Sequence, residues 1–265
     1  MSQAVLLIGD GPFAVALAKN FEKKQFSIIM TTIYENKVSE IRESGYIPIF
    51  VNALSEEGCK SIYEQCSKMI ADYSLEIKYI IHTARRTFYE FSPNDMPDDV
   101  KKEMFMVNAE SPKLLAEYFY PLGAQFVYTS SCATRGFSRD LSSQTVQDET
   151  NPVGTSGVKH YSYTKRLGEE GLYAFFHNKN ALSNLTISYI SLMLGTNFFK
   201  DMGTEAPSEK GWDEKKTADY IVSKLLKGQK RIFPGFQSKL AFILPAGVVS
   251  KILGMQPELK PLSEK

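Results

Sequence analysis

Tyr161 and Lys165 stand four residues apart, a spacing that on a helix puts both side chains on one face, one turn from each other. An ammonium so placed draws a phenol's pKa down from its ordinary value of about 10, towards the range useful for proton transfer near neutrality. Tyr163 is only two residues from Lys165 and points roughly 160° away around the helix, at ~100° per residue. Tyr161 is therefore the candidate acid or base. Any solvated helix face can carry such a pair by chance, so its meaning depends on the elements that must bring a cofactor and a substrate to it.

The first of these is at the N-terminus. Ala4-Val5-Leu6-Leu7-Ile8 is a continuous apolar run, as expected of a strand buried on both faces of a parallel sheet. Gly9-Asp10-Gly11-Pro12-Phe13-Ala14 follows, and a helical pattern then runs to about Lys24. Strand, glycine turn and helix together form a G-x-G-x-x-A dinucleotide fingerprint. Gly9 serves the tight turn, Gly11 the approach of backbone to a pyrophosphate, and Ala14 close helix–strand packing, with Pro12 and Phe13 between them. The helix N-terminus supplies N–H groups for the phosphates.

A second strand covers Phe26–Thr32 and a charged helix runs from about Asn36 to Ser44. Cofactor choice is usually made at the end of this strand, by an acid for a ribose hydroxyl or an Arg for a 2′-phosphate. Here stand Thr31 and Thr32, with Glu35 and Lys37 nearby. The hydroxyls and the lysine lean towards NADP, while Glu35 leaves NAD open.

The third strand, Tyr46–Val51, ends at Asn52-Ala53, where an adenine edge could be met. Glu56–Tyr73 reads as an amphipathic helix with Cys59 and Cys66 on its apolar side, which makes them core residues. The fourth strand, Ile77–Ile81, runs into His82-Thr83-Ala84-Arg85-Arg86, at the carboxyl edge where α/β sheets bind ligands. His82, Thr83 and Ala84 are candidates for the cofactor, and the two arginines either reach a phosphate or face solvent.

Further along, Asp98–Tyr120 reads as one long helix containing Asn108, and Gln125–Thr129 as a fifth strand leading into Ser130-Ser131. A polar connection at 137–159 precedes the helix of Tyr161 and Lys165, which extends to about Asn178. Leu185–Leu194 is a sixth strand and Arg231–Phe233 a seventh, at the edge, preceded by a helix over Glu214–Leu226. Residues 197–212 read as a substrate loop, and 240–255 as an apolar tail suited to a pocket cover, a subunit contact or a membrane surface. The alternation predicts a single doubly wound parallel α/β domain over 1–265, with a substrate-loop and tail region at about 197–265.

Composition narrows the function. The chain of 265 residues is 43% hydrophobic and 23% charged, with a net charge of +1. That balance gives no electrostatic case for nucleic acid. Three cysteines show no CxxC or Cys/His metal spacing, and so sparse and odd a count fits reduced thiols in a cytoplasm-like compartment. No apolar run reaches the roughly 20 residues of a membrane span, and the N-terminus has no cleavable signal pattern.

Glycine turn, helix Asn, strand-end Ser and Tyr-x-x-x-Lys occur in the order that resembles the short-chain dehydrogenase/reductase family. The likeness covers about residues 4–196. It implies a Rossmann-like fold, NADP or NAD as cofactor, and a homo-oligomer, dimer or tetramer, acting on a small-molecule substrate. It further implies Ser131, Tyr161 and Lys165 as catalytic residues, with Asn108 in support of a proton-relaying water. Lys165 would also hold the nicotinamide ribose. Asp148–Pro152 is similar to the extended, sugar-nucleotide-modifying branch, which keeps an epimerase or dehydratase open; a non-catalytic dinucleotide sensor on the same fold is the other alternative. The chain departs from the family's commoner patterns in three places. Its G-x-G-x-x-A turn and Thr31-Thr32 look like atypical members, though Ile33 stands where those often carry Arg. Only 70 residues follow Gly195, short for the extended branch, and Arg135 stands where that branch often has Tyr.

Overall fold

Why the apolar runs become one sheet is plain from β1, Ser2–Ile8, whose alternate side chains feed two separate cores. Ala4, Leu6 and Ile8 enter one, and Val5 and Leu7 the other. A strand buried this way needs helices on both faces. A computed structural model describes residues 2–87, 96–135, 156–190, 193–194, 212–236 and 238–239. Expectations for 137–155, for 197–211 and for the tail from 240 fall outside these residues.

The strands β2 (Ser27–Thr32), β3 (Ile47–Phe50), β4 (Leu75–His82), β5 (Gln125–Ser131), β6 (Leu185–Ile190) and β9 (Arg231–Ile232) join β1 in one seven-stranded sheet, in the order 3-2-1-4-5-6-9. Every pairing is parallel. Helices α1 (Pro12–Glu22) and α7 (Glu214–Leu225) close the core of Val5 and Leu7, with Leu17, Phe21, Ile221 and Leu225. Helices α3 (Glu56–Tyr73), α5 (Ser111–Phe119) and α6 (Ser156–Asn178) close the other, with Ile62, Phe119 and Phe176. The order reverses between β1 and β4, and the crevice outside their carboxyl ends is the place this architecture offers a ligand.

Three elements differ from the sequence expectation. The helix predicted over 98–120 is broken: α4 (Asp98–Phe105) gives way to a π turn at Met106–Glu110 before α5. Pro112 has no N–H to give the carbonyl four residues back, that of Asn108, and the freed carbonyl takes the Tyr128 hydroxyl at 2.6 Å instead. The strand predicted over 185–194 stops at Ile190, paired with Ser131, the last residue of β5. Met193–Leu194 (β7) pairs instead with Trp212–Asp213 (β8), the first of which was expected in a loop. The helix of Tyr161 begins at Ser156, inside the expected connection. Among the described residues no helix is long and apolar enough to cross a membrane.

Candidate active site

The first glycine turn is shaped by its neighbours. Gly9 has φ +116°, and a Cβ there would lie 2.9 Å from the Thr83 hydroxyl and 3.2 Å from the Ala84 nitrogen. Only glycine fits. Thr83 and Ala84 in turn donate their N–H groups to the Ile8 carbonyl at 3.0 and 2.8 Å, and the Thr83 hydroxyl donates to the same oxygen at 2.8 Å. The glycine turn and the end of β4 are thus one unit. Gly11 caps α1 with φ −69°, and a Cβ there would meet nothing within 4 Å. Neither backbone nor packing asks for glycine at 11, so the open space above it is free for a phosphate. Pro12 at the first helical position is exposed, whereas Phe13 and Ala14 are packed in the core. The side chains of these two position the turn, and only their backbone can face a ligand.

The end of β2 corrects the expectation for Thr31 and Thr32. Both are buried, and both hydroxyls are spent on the glycine turn. Thr31 accepts the Gly9 N–H at 2.9 Å, and Thr32 donates to Asp10 at 2.6 Å. Lys37 reaches the same Asp10 carboxylate at 3.3 Å and lies 5.0 Å from the centre of the exposed Tyr34 ring. The cation here is therefore Lys37, part-exposed and tied to an acid. Asn52 and Ala53, at the end of β3, are exposed at the same edge.

His82 does not face that edge. It is fully buried, and its Nε2 lies 3.0 Å from Ser111, whose hydroxyl already donates to the Val107 carbonyl at 2.9 Å. Nε2 must then be the donor. Burial and nearby Lys165 hold its pKa well below the usual histidine range. The sequence candidate is a structural histidine.

Asn108 sits in the π turn, wholly buried. Its carboxamide grips the backbone beyond β4 from both sides: Oδ1 accepts the Arg86 N–H at 3.0 Å, and Nδ2 donates to the Arg86 carbonyl at 2.8 Å. Nδ2 also lies 3.0 Å from the Thr164 hydroxyl, which donates to the Tyr161 carbonyl at 3.1 Å. One amide thus ties the strand end to the helix of Tyr161.

Tyr161, Ser131 and Lys165 come together where β4, β5 and α6 meet. Tyr161 is buried, and Arg85 and Ser131 lie close enough to act on its hydroxyl. Burial raises its pKa above the ordinary phenol value, against the lowering expected from the Tyr–Lys spacing; the Arg85 guanidinium and the Ser131 hydroxyl only partly oppose that rise. Lys165 is buried, with Nζ 3.1 Å from the Thr129 carbonyl, 3.4 Å from that of Ala84, and 4.7 Å above the Tyr128 ring. Burial, reinforced by Arg85 and opposed by Glu169, brings its pKa down to about 7. The Lys165 ammonium is turned to the Thr129 and Ala84 carbonyls, and the cation whose charge lowers the Tyr161 phenol is Arg85.

Two residues of this region escaped the sequence reading. Arg85 was left between phosphate and solvent, because a side chain that long can reach either from a strand end. Glu169 is buried one turn beyond Lys165, hydrogen-bonded to Ser130 and, at 3.3 Å, to Tyr189. The i, i+4 spacing of Lys165 and Glu169 was the available signal. Gly168, between them, lets the helix approach the π turn: a Cβ there would lie 2.5 Å from the Asn108 carbonyl and 2.7 Å from the Tyr128 hydroxyl. Cys59 and Cys66 are buried, their thiols pushed up to about 12, as core cysteines should be. Among the described residues no cluster could hold a metal ion.

No family model matches the sequence, and no curated protein does so. The fold is nevertheless shared with solved short-chain dehydrogenases. One from Streptomyces avermitilis is 16% identical, with a TM-score of 0.67 over 96% of this chain and 94% of that one. Another, from Sphingobium yanoikuyae in complex with NADPH, is 11% identical, with a TM-score of 0.68 over the whole of both chains. A third, from Burkholderia cenocepacia in complex with NADP, is 11% identical, with a TM-score of 0.67 over 98% and 99%. The chain has the short-chain dehydrogenase/reductase fold.

Proposed function

We propose that the chain is an NAD(P)-dependent oxidoreductase interconverting a carbonyl and an alcohol on a small organic substrate, with Tyr161 as proton donor for reduction and acceptor for oxidation. One observation carries this reading. Tyr161 and Ser131 lie together at the carboxyl edge of the sheet, Ser131 near enough to act on the phenol, on the crevice that the glycine turn opens. The turn fits a dinucleotide, since Gly11 leaves unfilled space at the start of α1. When bound, a nicotinamide supplies or receives the hydride.

The chain's own residues handle the proton and the orientation. Ser131 holds the substrate oxygen towards Tyr161, and Tyr161 gives that oxygen its proton. Lys165, poised near neutrality and with two carbonyls already engaged, has a further N–H for a ribose hydroxyl. Asn108 supports the site through the backbone beyond β4. Positioned proton transfer contributes about 10²–10⁴-fold. The preferred cofactor is NADP, on the strength of Lys37 at the end of β2 and of fold relatives solved with NADP or NADPH. In this reading 1–265 is one domain, with the region from about 197 over the substrate, and the enzyme is a cytoplasmic dimer or tetramer.

Fluorescence titration with NADPH and NADH, followed by a panel of aldehydes and ketones, tests it. Saturable binding and carbonyl-dependent oxidation of NADPH are expected, with turnover lost in Tyr161→Phe. Binding without turnover on any carbonyl would favour a dinucleotide sensor.

A further inference from the structure

Glu169 is an acid inside the core. It is buried on α6, and the side chains three and seven residues on, Leu172 and Phe176, are core residues. A carboxylate in such a place costs stability unless its oxygens are hydrogen-bonded. Both are: the Ser130 hydroxyl donates to Oε1, and the Tyr189 hydroxyl donates to Oε2 at 3.3 Å. Ser130 and Tyr189 are register partners on the neighbouring strands β5 and β6. One side chain of α6 therefore bridges two strands near their carboxyl ends. Tyr189 is itself held, its buried ring stacked on Phe233 with centroids 5.3 Å apart.

The bridge lies beside the proposed reaction centre. Ser130 stands between Ser131 and Thr129, whose carbonyl takes Lys165 Nζ at 3.1 Å. One residue earlier, the Tyr128 hydroxyl lies 3.3 Å from the Lys165 carbonyl. Consecutive residues of β5 thus engage one turn of α6 at both of its ends, Lys165 and Glu169. A bond to the long Lys165 side chain alone would let the strand end shift, since that side chain has rotamers with which to follow it. The second bond, one turn away, removes that freedom. We infer that Glu169 is a positioning residue for the proposed reaction: through Ser130 it fixes the end of β5 against α6, and so sets Ser131 and the Thr129 carbonyl relative to Tyr161 and Lys165. This rests on the oxidoreductase reading above. Glu169 touches neither substrate nor cofactor in it and acts through the strand. Such a role matters because misplacing a working group by about 1 Å can cost about 10²-fold in rate.

The test breaks the bridge from each side, with Ser130→Ala and Glu169→Met, and restores it with Glu169→Gln. A carboxamide still accepts from Ser130 through Oε1 and can donate to the Tyr189 hydroxyl. In protein without cofactor, reductive methylation of the buried Lys165, read by peptide mass spectrometry, should be slow. It should quicken by about ten-fold or more in Ser130→Ala and in Glu169→Met, and return most of the way in Glu169→Gln. On a carbonyl substrate, Ser130→Ala and Glu169→Met should each lose about ten-fold or more in kcat, with KM within about three-fold. The double variant should lose no more than Glu169→Met alone, since both changes remove the same bond, and Glu169→Gln should recover most of the rate. A merely structural role would lower the melting temperature and leave both the kcat of the folded enzyme and the Lys165 rate in place. Circular dichroism establishes folding, and Ser130→Ala, which loses one oxygen, reads the same bond should Glu169→Met not fold. Unchanged methylation in folded Ser130→Ala, unchanged kcat there on a substrate the unaltered chain turns over, or a Glu169→Gln as impaired as Glu169→Met overturns the inference. Failure of the proposed function is a separate result: the unaltered chain would turn over no carbonyl, while Lys165 methylation still followed the bridge.

Discussion

The two ends of the crevice are built by opposite means. At the adenosine end, around β1 and β2, the polar side chains are spent on the protein itself: Thr31, Thr32 and Asp10 bond one another and the turn. What remains for a ligand is backbone, empty space above Gly11 and one part-exposed cation, Lys37. At the end proposed as catalytic, around β4, β5 and α6, backbone groups and a buried amide are the scaffold, and the side chains they hold are the proposed working groups. Asn108, Thr164 and the Thr129 and Ala84 carbonyls hold Arg85, Tyr161 and Lys165 in place. A binding end can thus tolerate changes in side-chain chemistry so long as the loop keeps its shape. The end proposed as catalytic cannot, because its side chains are the product of the scaffold.

Substitutions can break this contrast. The largest effect should come from Tyr161→Phe, which removes one oxygen: kcat should fall by about 10²-fold or more on a carbonyl substrate, with NADPH affinity held within a few fold in fluorescence titration. The glycine turn should separate its two glycines cleanly. Gly11→Val should keep its melting temperature and lose NADPH affinity by at least about ten-fold, because its Cβ enters only ligand space. Gly9→Ala should instead lose stability by at least about 1–3 kcal/mol in urea denaturation, from its left-handed backbone and the clash with Thr83 and Ala84.

Lys165 gives a smaller, pH-dependent signature. Its pKa falls from 10.5 to about 7 on folding, so between those values the unfolded chain binds the extra proton. Stability from this group therefore rises with pH from about 7 upwards and is at its worst below 7. The urea midpoint should climb between pH 7 and 9, and Lys165→Met should flatten that climb. The smallest effect is at the adenosine end: Lys37→Met should weaken NADPH by about two- to five-fold and NADH hardly at all, with the difference shrinking at high salt.

What the sequence disclosed follows from which properties are local. The strand–turn–helix of 4–24 is a run of apolar residues, two glycines and an amphipathic stretch, and each reports its own backbone. Tyr161 and Lys165 share a face because a helix fixes angles over four residues. The break at 106–110 was also local in cause, since Pro112 withholds one N–H, yet nothing in the residues announces a π turn instead of a kink. Thr31 and Thr32 were read as ligand groups because their partners, Gly9 and Asp10, are more than 20 residues away and meet them only through the sheet register. Arg85 was ambiguous for the same reason. The phenol on which its charge acts is 76 positions along the chain.

The close approach at Gly168 has a consequence for motion. With the Asn108 carbonyl and the Tyr128 hydroxyl already where a methyl group would be, α6 has no slack in which to slide or roll against the π turn. The helix is a fixed post rather than a jaw. Substrate entry and product release must then draw their amplitude from other segments, leaving Tyr161 only the small rotations of its own ring. In relaxation-dispersion measurements across a catalytic cycle, the amides of 164–172 should stay silent while exchange broadening appears elsewhere around the crevice.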